Sequence, residues 1–103
     1  MSTQRVRFHQ SARAELRRAV EHYDAEVPDL GAEFAEAVER VVQEITAYPE
    51  LGSPYLAGTR RRLVRRFPFS VVYRLRPEEI VILAVAHQKR KPGYWRGRGL
   101  QGP

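Results

Sequence analysis

Between positions 12 and 48 the apolar side chains return every three or four residues, and from position 69 they return every second residue. A chain with that change of period has to pack amphipathic helices against a sheet. Ala12, Leu16, Ala19, Val20, Tyr23 and Val27 form a first stripe, with Glu15, Arg17, Arg18, Glu21 and Asp24 on the other side. Pro28 and Asp29 break it. Leu30, Phe34, Ala37, Val38, Val41, Ile45 and Tyr48 form a second stripe, opposite Glu33, Glu36, Glu39, Arg40 and Glu44, and Pro49 ends it. Ser11 is the expected cap of the first helix, its hydroxyl taking up a free backbone N–H. Two such helices joined by a tight break predict an antiparallel hairpin with both stripes in the core.

Residues 4–9 alternate polar and apolar, which predicts a short strand with Val6 and Phe8 turned inward. Residues 49–58 are rich in breakers and predict a loop. Three strands follow, over 59–66, 69–76 and 80–87, with turns at Phe67-Pro68 and Pro77-Glu78-Glu79. In the middle strand Phe69, Val71, Tyr73 and Leu75 point one way, and Ser70, Val72, Arg74 and Arg76 the other. The helices should cover the first face and leave the second open, with arginine on it. Ile80 to Ala86 is apolar on both sides, so this strand belongs inside the sheet. The glycine-rich end over 97–103 predicts a flexible tail. The expected architecture is a two-layer α+β domain spanning residues 1–103, in the order β-α-α-β-β-β with a three-stranded antiparallel meander at the end.

Charge narrows the partners. The chain of 103 residues carries a formal charge of +6, and the distribution is lopsided. Residues 1–50 hold six basic and ten acidic side chains, whereas residues 51–103 hold twelve basic and only two acidic ones. A basic half of this kind points to a polyanionic partner, either nucleic acid or an acidic protein segment. No cysteine is present, which removes disulfides, zinc ribbons and thiol catalysis and suits a cytoplasmic setting. No apolar run approaches the roughly 20 residues that span a membrane, and no secretory signal is visible. His9, His22 and His87 lack metal-ligand spacing, and Glu78 and Glu79 are the only carboxylates beyond residue 50, too few for a two-metal nuclease. No nucleophile elbow or phosphate-binding glycine loop appears, so neither a metal nor a cofactor is expected.

Side chains able to do chemistry gather late in the chain. Arg60, Arg61, Arg62, Arg65 and Arg66 flank one strand, Arg74 and Arg76 lie on the next, and His87 ends the third. Lys89, Arg90, Lys91, Tyr94, Trp95, Arg96 and Arg98 follow. These groups are expected to share one concave cationic surface opposite the helices. Arginine forks suit phosphate and carboxylate, Tyr94 or Trp95 can stack on a base, and His87 can exchange a proton near neutrality. The same residues have plainer uses. His87 can be a hydrogen-bonded strand end, and Tyr94 and Trp95 can dock the tail on the sheet. The run at 60–62 must divide between two faces of a strand. Arg5 and Arg7 can protect a sheet edge.

Phe67-Pro68-Phe69 ahead of Val71-Val72-Tyr73-Arg74, and the ending Ile82-Leu83-Ala84-Val85-Ala86-His87-Gln88-Lys89-Arg90-Lys91-Pro92-Gly93-Tyr94-Trp95, give the chain a distinctive order. With Phe8-His9-Gln10-Ser11-Ala12, Glu15-Leu16, Leu30-Gly31, Phe34 and Tyr48-Pro49, the pattern over residues 5–98 resembles the RelE/ParE toxins of bacterial type II toxin–antitoxin modules, which stabilise plasmids. The resemblance implies a growth inhibitor held silent by a cognate antitoxin. RelE-like members cut ribosome-bound mRNA without metal; ParE-like members inhibit DNA gyrase. Carried over by position, Arg65, Arg74 and Arg90 are the phosphate-contacting arginines of a RelE-like nuclease, Tyr94 its tyrosine and His87 its acid or base. The absence of lysine before residue 89 departs from the RelE pattern, since arginine rarely gives up its proton. The resemblance therefore leans to the ParE side, a gyrase inhibitor that contacts its target through Arg60, Arg62, Arg74, Arg76, His87, Arg90, Tyr94, Trp95 and Arg98. The alternatives are a metal-independent endoribonuclease and a non-toxic nucleic-acid-binding module.

Overall fold

The computed structural model describes residues 5–98. Strand β1 (Arg5–Phe8) leads into helices α1 (Gln10–Glu26) and α2 (Leu30–Ala47). Strands β2 (Ser53–Tyr55), β3 (Thr59–Leu63), β4 (Phe69–Leu75) and β5 (Glu79–His87) follow, with a short 3₁₀ turn over Leu56–Gly58. They form one five-stranded sheet in the order β1-β5-β4-β3-β2. β1 runs parallel to β5 and the other pairings are antiparallel. No helix among the described residues is long and apolar enough to cross a membrane.

The helices form where the stripes predict and end where the breakers stand. Asp29 turns the chain in a left-handed conformation at φ 71°, which a short polar side chain tolerates. Gly31 then lets α2 start against α1. Its N–H donates to the Asp24 carboxylate at 2.7 Å, and a Cβ there would collide with the Val20 carbonyl. The stripes meet the sheet around Phe34, fully buried among the rings of Tyr23, Phe67 and Phe69 at 4.8–5.3 Å.

Four expectations change. The cap of α1 is His9, not Ser11: the helix begins at Gln10, and the His9 Nδ1 accepts from the Ser11 N–H at 3.1 Å. The loop over 49–58 contains β2, a three-residue edge strand that tolerates Pro54 because an edge needs fewer ladder donors. The expected strand over 59–66 stops at Leu63. Finally, the second sheet face is not open. Val72, Val81, Leu83 and Ala84 form a second apolar cluster there, capped by Trp95, which is 1% exposed. The expected flexible end over 97–103 lies outside the described residues beyond Arg98, and Arg98 itself is anchored.

A bulge in β5 sets what each face carries. Val72 pairs with Ala84 but Tyr73 pairs with Ile82, so Leu83 is an extra residue. Leu83 and Ala84 therefore both join the second cluster, and Val85 turns to the helix side. His87, paired with Phe69, moves to the helix side too and packs its ring against Phe69 at 5.0 Å.

Two predictions follow from local chemistry. Burial, with the Arg98 and Arg7 charges outweighing Glu15, lowers the His9 pKa below its ordinary value, so the fold favours the neutral ring that caps α1. Its contribution is complete above the unfolded value of about 6.5 and is lost as pH falls through the lowered folded value. Urea midpoints measured from pH 7.5 down to 5 should fall more for the wild type than for His9→Asn, which keeps a capping side chain without the titration. The second concerns Tyr73, fully buried, whose hydroxyl accepts from the Gly52 N–H and donates to the Pro49 carbonyl, both at 2.8 Å. Tyr73→Phe strands both backbone groups and should cost about 1–3 kcal/mol in chemical denaturation.

Candidate functional site

The parity of β3 divides its arginines. Arg60 and Arg62 point to the helix side: Arg60 Nη1 donates to the carbonyls of Gly52 at 2.7 Å and Glu50 at 3.2 Å, and Arg62 Nε donates to Glu44 of α2 at 3.1 Å. Arg61 points the other way, its guanidinium 4.2 Å from the Tyr55 ring centroid. Arg65 and Arg66 lie past the strand on the α2 side, where Arg66 pairs with Glu33 at 2.9 Å. Arg74 lies near the far end of β4 and Arg76 just past it; four residues of strand put Arg74 about 13 Å from Ser70. The expected single cationic surface is thus corrected: strand alternation and strand length send these groups to separate places.

One cleft, of about 270 Å³, does gather cations. Its floor is Ser70, Val72 and Trp95, one wall is Tyr55, Arg61 and Leu63, and the other is the segment after β5 with Arg90, Lys91, Pro92 and Tyr94. His87 and Gln88 stand at the rim. Arg90 stacks on Tyr94 with its guanidinium 3.8 Å from the ring centroid, mirroring Arg61 on Tyr55, and the Tyr55 and Trp95 rings lie 5.8 Å apart. A cation–π contact of this kind places each guanidinium over a ring face and leaves its N–H groups able to bind an anion. Arg61, Arg90 and Lys91 are exposed, and no carboxylate lines the cleft. Its chemistry suits an anionic group with an apolar shoulder.

Of the expected target residues, the cleft brings together His87, Arg90, Tyr94 and Trp95. Trp95 is floor, not an exposed platform, because the apolar outer face of β5 has to be covered. Tyr94 presents its ring but not its hydroxyl, which donates to Glu15 at 2.8 Å. Burial, reinforced by that carboxylate, pushes the Tyr94 pKa well above the ordinary phenol value. Arg98 is not available either: it forks onto Glu15 and donates to the Leu83 carbonyl at 3.0 Å. His87 Nδ1 accepts the Lys89 N–H at 3.0 Å, tying the ring to the turn. Tyr55 and Ser70 line the cleft without having been selected from the sequence, and Arg61 and Lys91, counted among the cationic candidates, were left out of the expected target set. No sequence signal singled out Arg61, because the register with β2 and β4 sets the parity of its strand.

A second surface runs between α2 and β3, a groove of about 860 Å³ lined by Ala37, Val41 and Leu63 with Glu33, Glu36, Arg40, Glu44, Arg62, Arg65 and Arg66. Leu63 is 59% exposed, and Tyr48 nearby is 69% exposed. Arg65 faces this groove while Arg90 faces the cleft, so the nuclease set of Arg65, Arg74 and Arg90 does not converge.

Comparison with known proteins agrees with this architecture. The family model described as "ParE toxin of type II toxin-antitoxin system, parDE" matches residues 6–92. Among solved structures, a chain of the chromosomal ParDE toxin–antitoxin system from P. aeruginosa superposes with a TM-score of 0.73 at 21% identity, covering 82% of this chain and 96% of that one. No curated protein matches. The matched span holds the helical hairpin, the sheet and the strand that precedes them, and the chain belongs to the family of ParE toxins of type II toxin–antitoxin systems.

Proposed function

We propose that the protein is a growth inhibitor that binds DNA gyrase through the cleft of Arg61, Arg90 and Lys91, and that a cognate antitoxin silences it. Family membership implies the antitoxin. The observation that carries the target reading is the cleft itself, a cationic receptor lined by no carboxylate, in which the His87 Nδ1 and the Tyr94 hydroxyl are both engaged in hydrogen bonds within the fold. Cleavage of RNA needs a group that gives or takes a proton at the scissile phosphate. Here the Tyr94 hydroxyl is committed to Glu15, and its raised pKa keeps it from serving as a base at neutral pH. Binding asks only for charge and shape, which the cleft offers.

The groove along α2 and β3 is the natural seat for the antitoxin. Its apolar centre and alternating charges suit an amphipathic helix, whose affinity rests on a few apolar anchors with complementary charges around them.

Purified protein should block the supercoiling activity of DNA gyrase at near-stoichiometric ratios. Normal supercoiling at large excess would refute the target assignment. Sequencing of RNA ends after a pulse of expression should show no codon-phased cuts; their appearance would favour the ribosome-dependent nuclease instead.

A further inference from the structure

Glu15 breaks a rule of helix patterning. It sits on the apolar side of α1, between Ala12 and Ala19, and is 7% exposed. Both carboxylate oxygens are fully used. Oε1 accepts from the Val85 N–H and from Arg98 Nη1, each at 3.0 Å. Oε2 accepts from the Tyr94 hydroxyl at 2.8 Å and from Arg98 Nη2 at 2.9 Å. One side chain of α1 thus grips β5 and two points of the C-terminal segment, 70 to 83 residues away in sequence. Burying a charge is costly unless it is paired and hydrogen-bonded. An aliphatic residue would seal the same position, but it would not fix where the segment lies.

We infer that Glu15 is a positioning residue of the cleft: its carboxylate holds Tyr94 and Arg98 so that Arg90 is presented opposite Arg61. The link to Arg90 is direct, because the Arg90 guanidinium sits over the Tyr94 ring that Glu15 pins. Arg98 packs on the same ring at 5.0 Å, which closes the cluster. The segment that walls the cleft is a series of turns whose apolar anchor is the buried Trp95 ring, and the directed bonds to Glu15 fix where Tyr94 and Arg98 lie around that anchor. This inference rests on the proposed role of the cleft in target binding, but its first readout does not.

Trp95 is the only tryptophan and lies in the pinned segment, so it reports the segment's position. Glu15→Gln keeps the shape but replaces one oxygen with a donor that cannot accept from Tyr94 or Arg98. Arg98→Gln attacks the same grip from the other side without altering α1, and it decides the matter if Glu15→Gln fails to fold. Glu21→Gln, on the exposed face of α1, is the control. Both test variants should keep the far-ultraviolet circular dichroism of the wild type. Their Trp95 emission should shift to longer wavelength, with acrylamide quenching several-fold stronger, and growth arrest on induction should weaken roughly tenfold or more. Trp95 still protected in both variants, or Trp95 released with growth arrest intact, would overturn the inference. Growth arrest is scored in cells, so it does not depend on gyrase being the target. If the wild type itself causes no arrest, the toxin reading fails while the fluorescence still tests the grip.

Discussion

Arg61→Glu combined with Arg90→Glu is expected to abolish growth arrest while leaving the fold and antitoxin binding intact. Both side chains are exposed and neither forms an ion pair among the described residues, so the charge change touches no buried partner. Each substitution replaces a cation stacked on a tyrosine with an anion in a cleft that otherwise holds no negative charge. Against an anionic target, like-charge juxtaposition at two close points costs several kcal/mol, well beyond roughly a hundredfold in affinity. The matched control is Arg40→Glu with Arg66→Glu in the α2–β3 groove. That variant should remain fully toxic and should escape antitoxin neutralisation. Plating efficiency with and without antitoxin co-expression reads both effects. Equal behaviour of the two double variants would mean that cleft and groove do not have separate roles.

The largest effect on stability is expected at Phe34. Its side chain is completely buried and touches three other rings, which bring α1, α2 and the 64–69 bend together. Phe34→Ala removes the buried ring and leaves a cavity that those neighbours cannot all close, so the cost should be about 3–5 kcal/mol. A domain of this size has about 5–15 kcal/mol in total, and the melting temperature should drop by roughly 12 °C or more. Phe34→Leu, which refills most of the volume, should recover much of the loss. A shift of only a few degrees for Phe34→Ala in thermal unfolding would show that the ring cluster is not the centre of the core.

The helices and the meander were legible because each obeys one strong period, and Pro28, Pro49 and Pro77 mark their ends. What escaped the sequence follows local rules that compete. Ser11 is the better cap by residue type, but the chain enters the helix one residue after His9, and an imidazole nitrogen serves. Leu83 carries no glycine or proline to announce a bulge, yet that single extra residue moves His87 to the helix side. The outer face of β5 was apolar in plain view; Val81, Leu83 and Ala84 required a cover, and Trp95 is the cover. Glu15 was assigned to water on its charge alone. By spacing it lies three residues after Ala12 and four before Ala19, on the face those two bury. Arg60 and Arg62 were chosen over Arg61 because nothing in the run Arg60-Arg61-Arg62 sets its parity; pairing with β2 and β4 does so in the fold.

In the proposed reading the cleft is the element that contacts the target. The decisive measurement is direct binding of purified DNA gyrase to the immobilised wild-type protein, to Arg61→Glu with Arg90→Glu, and to Arg40→Glu with Arg66→Glu. The cleft account predicts tight binding by the wild type and by the groove variant, weakened by added salt, and loss of binding by the cleft variant. Undiminished binding by the cleft variant, or no binding by the wild type, would contradict it.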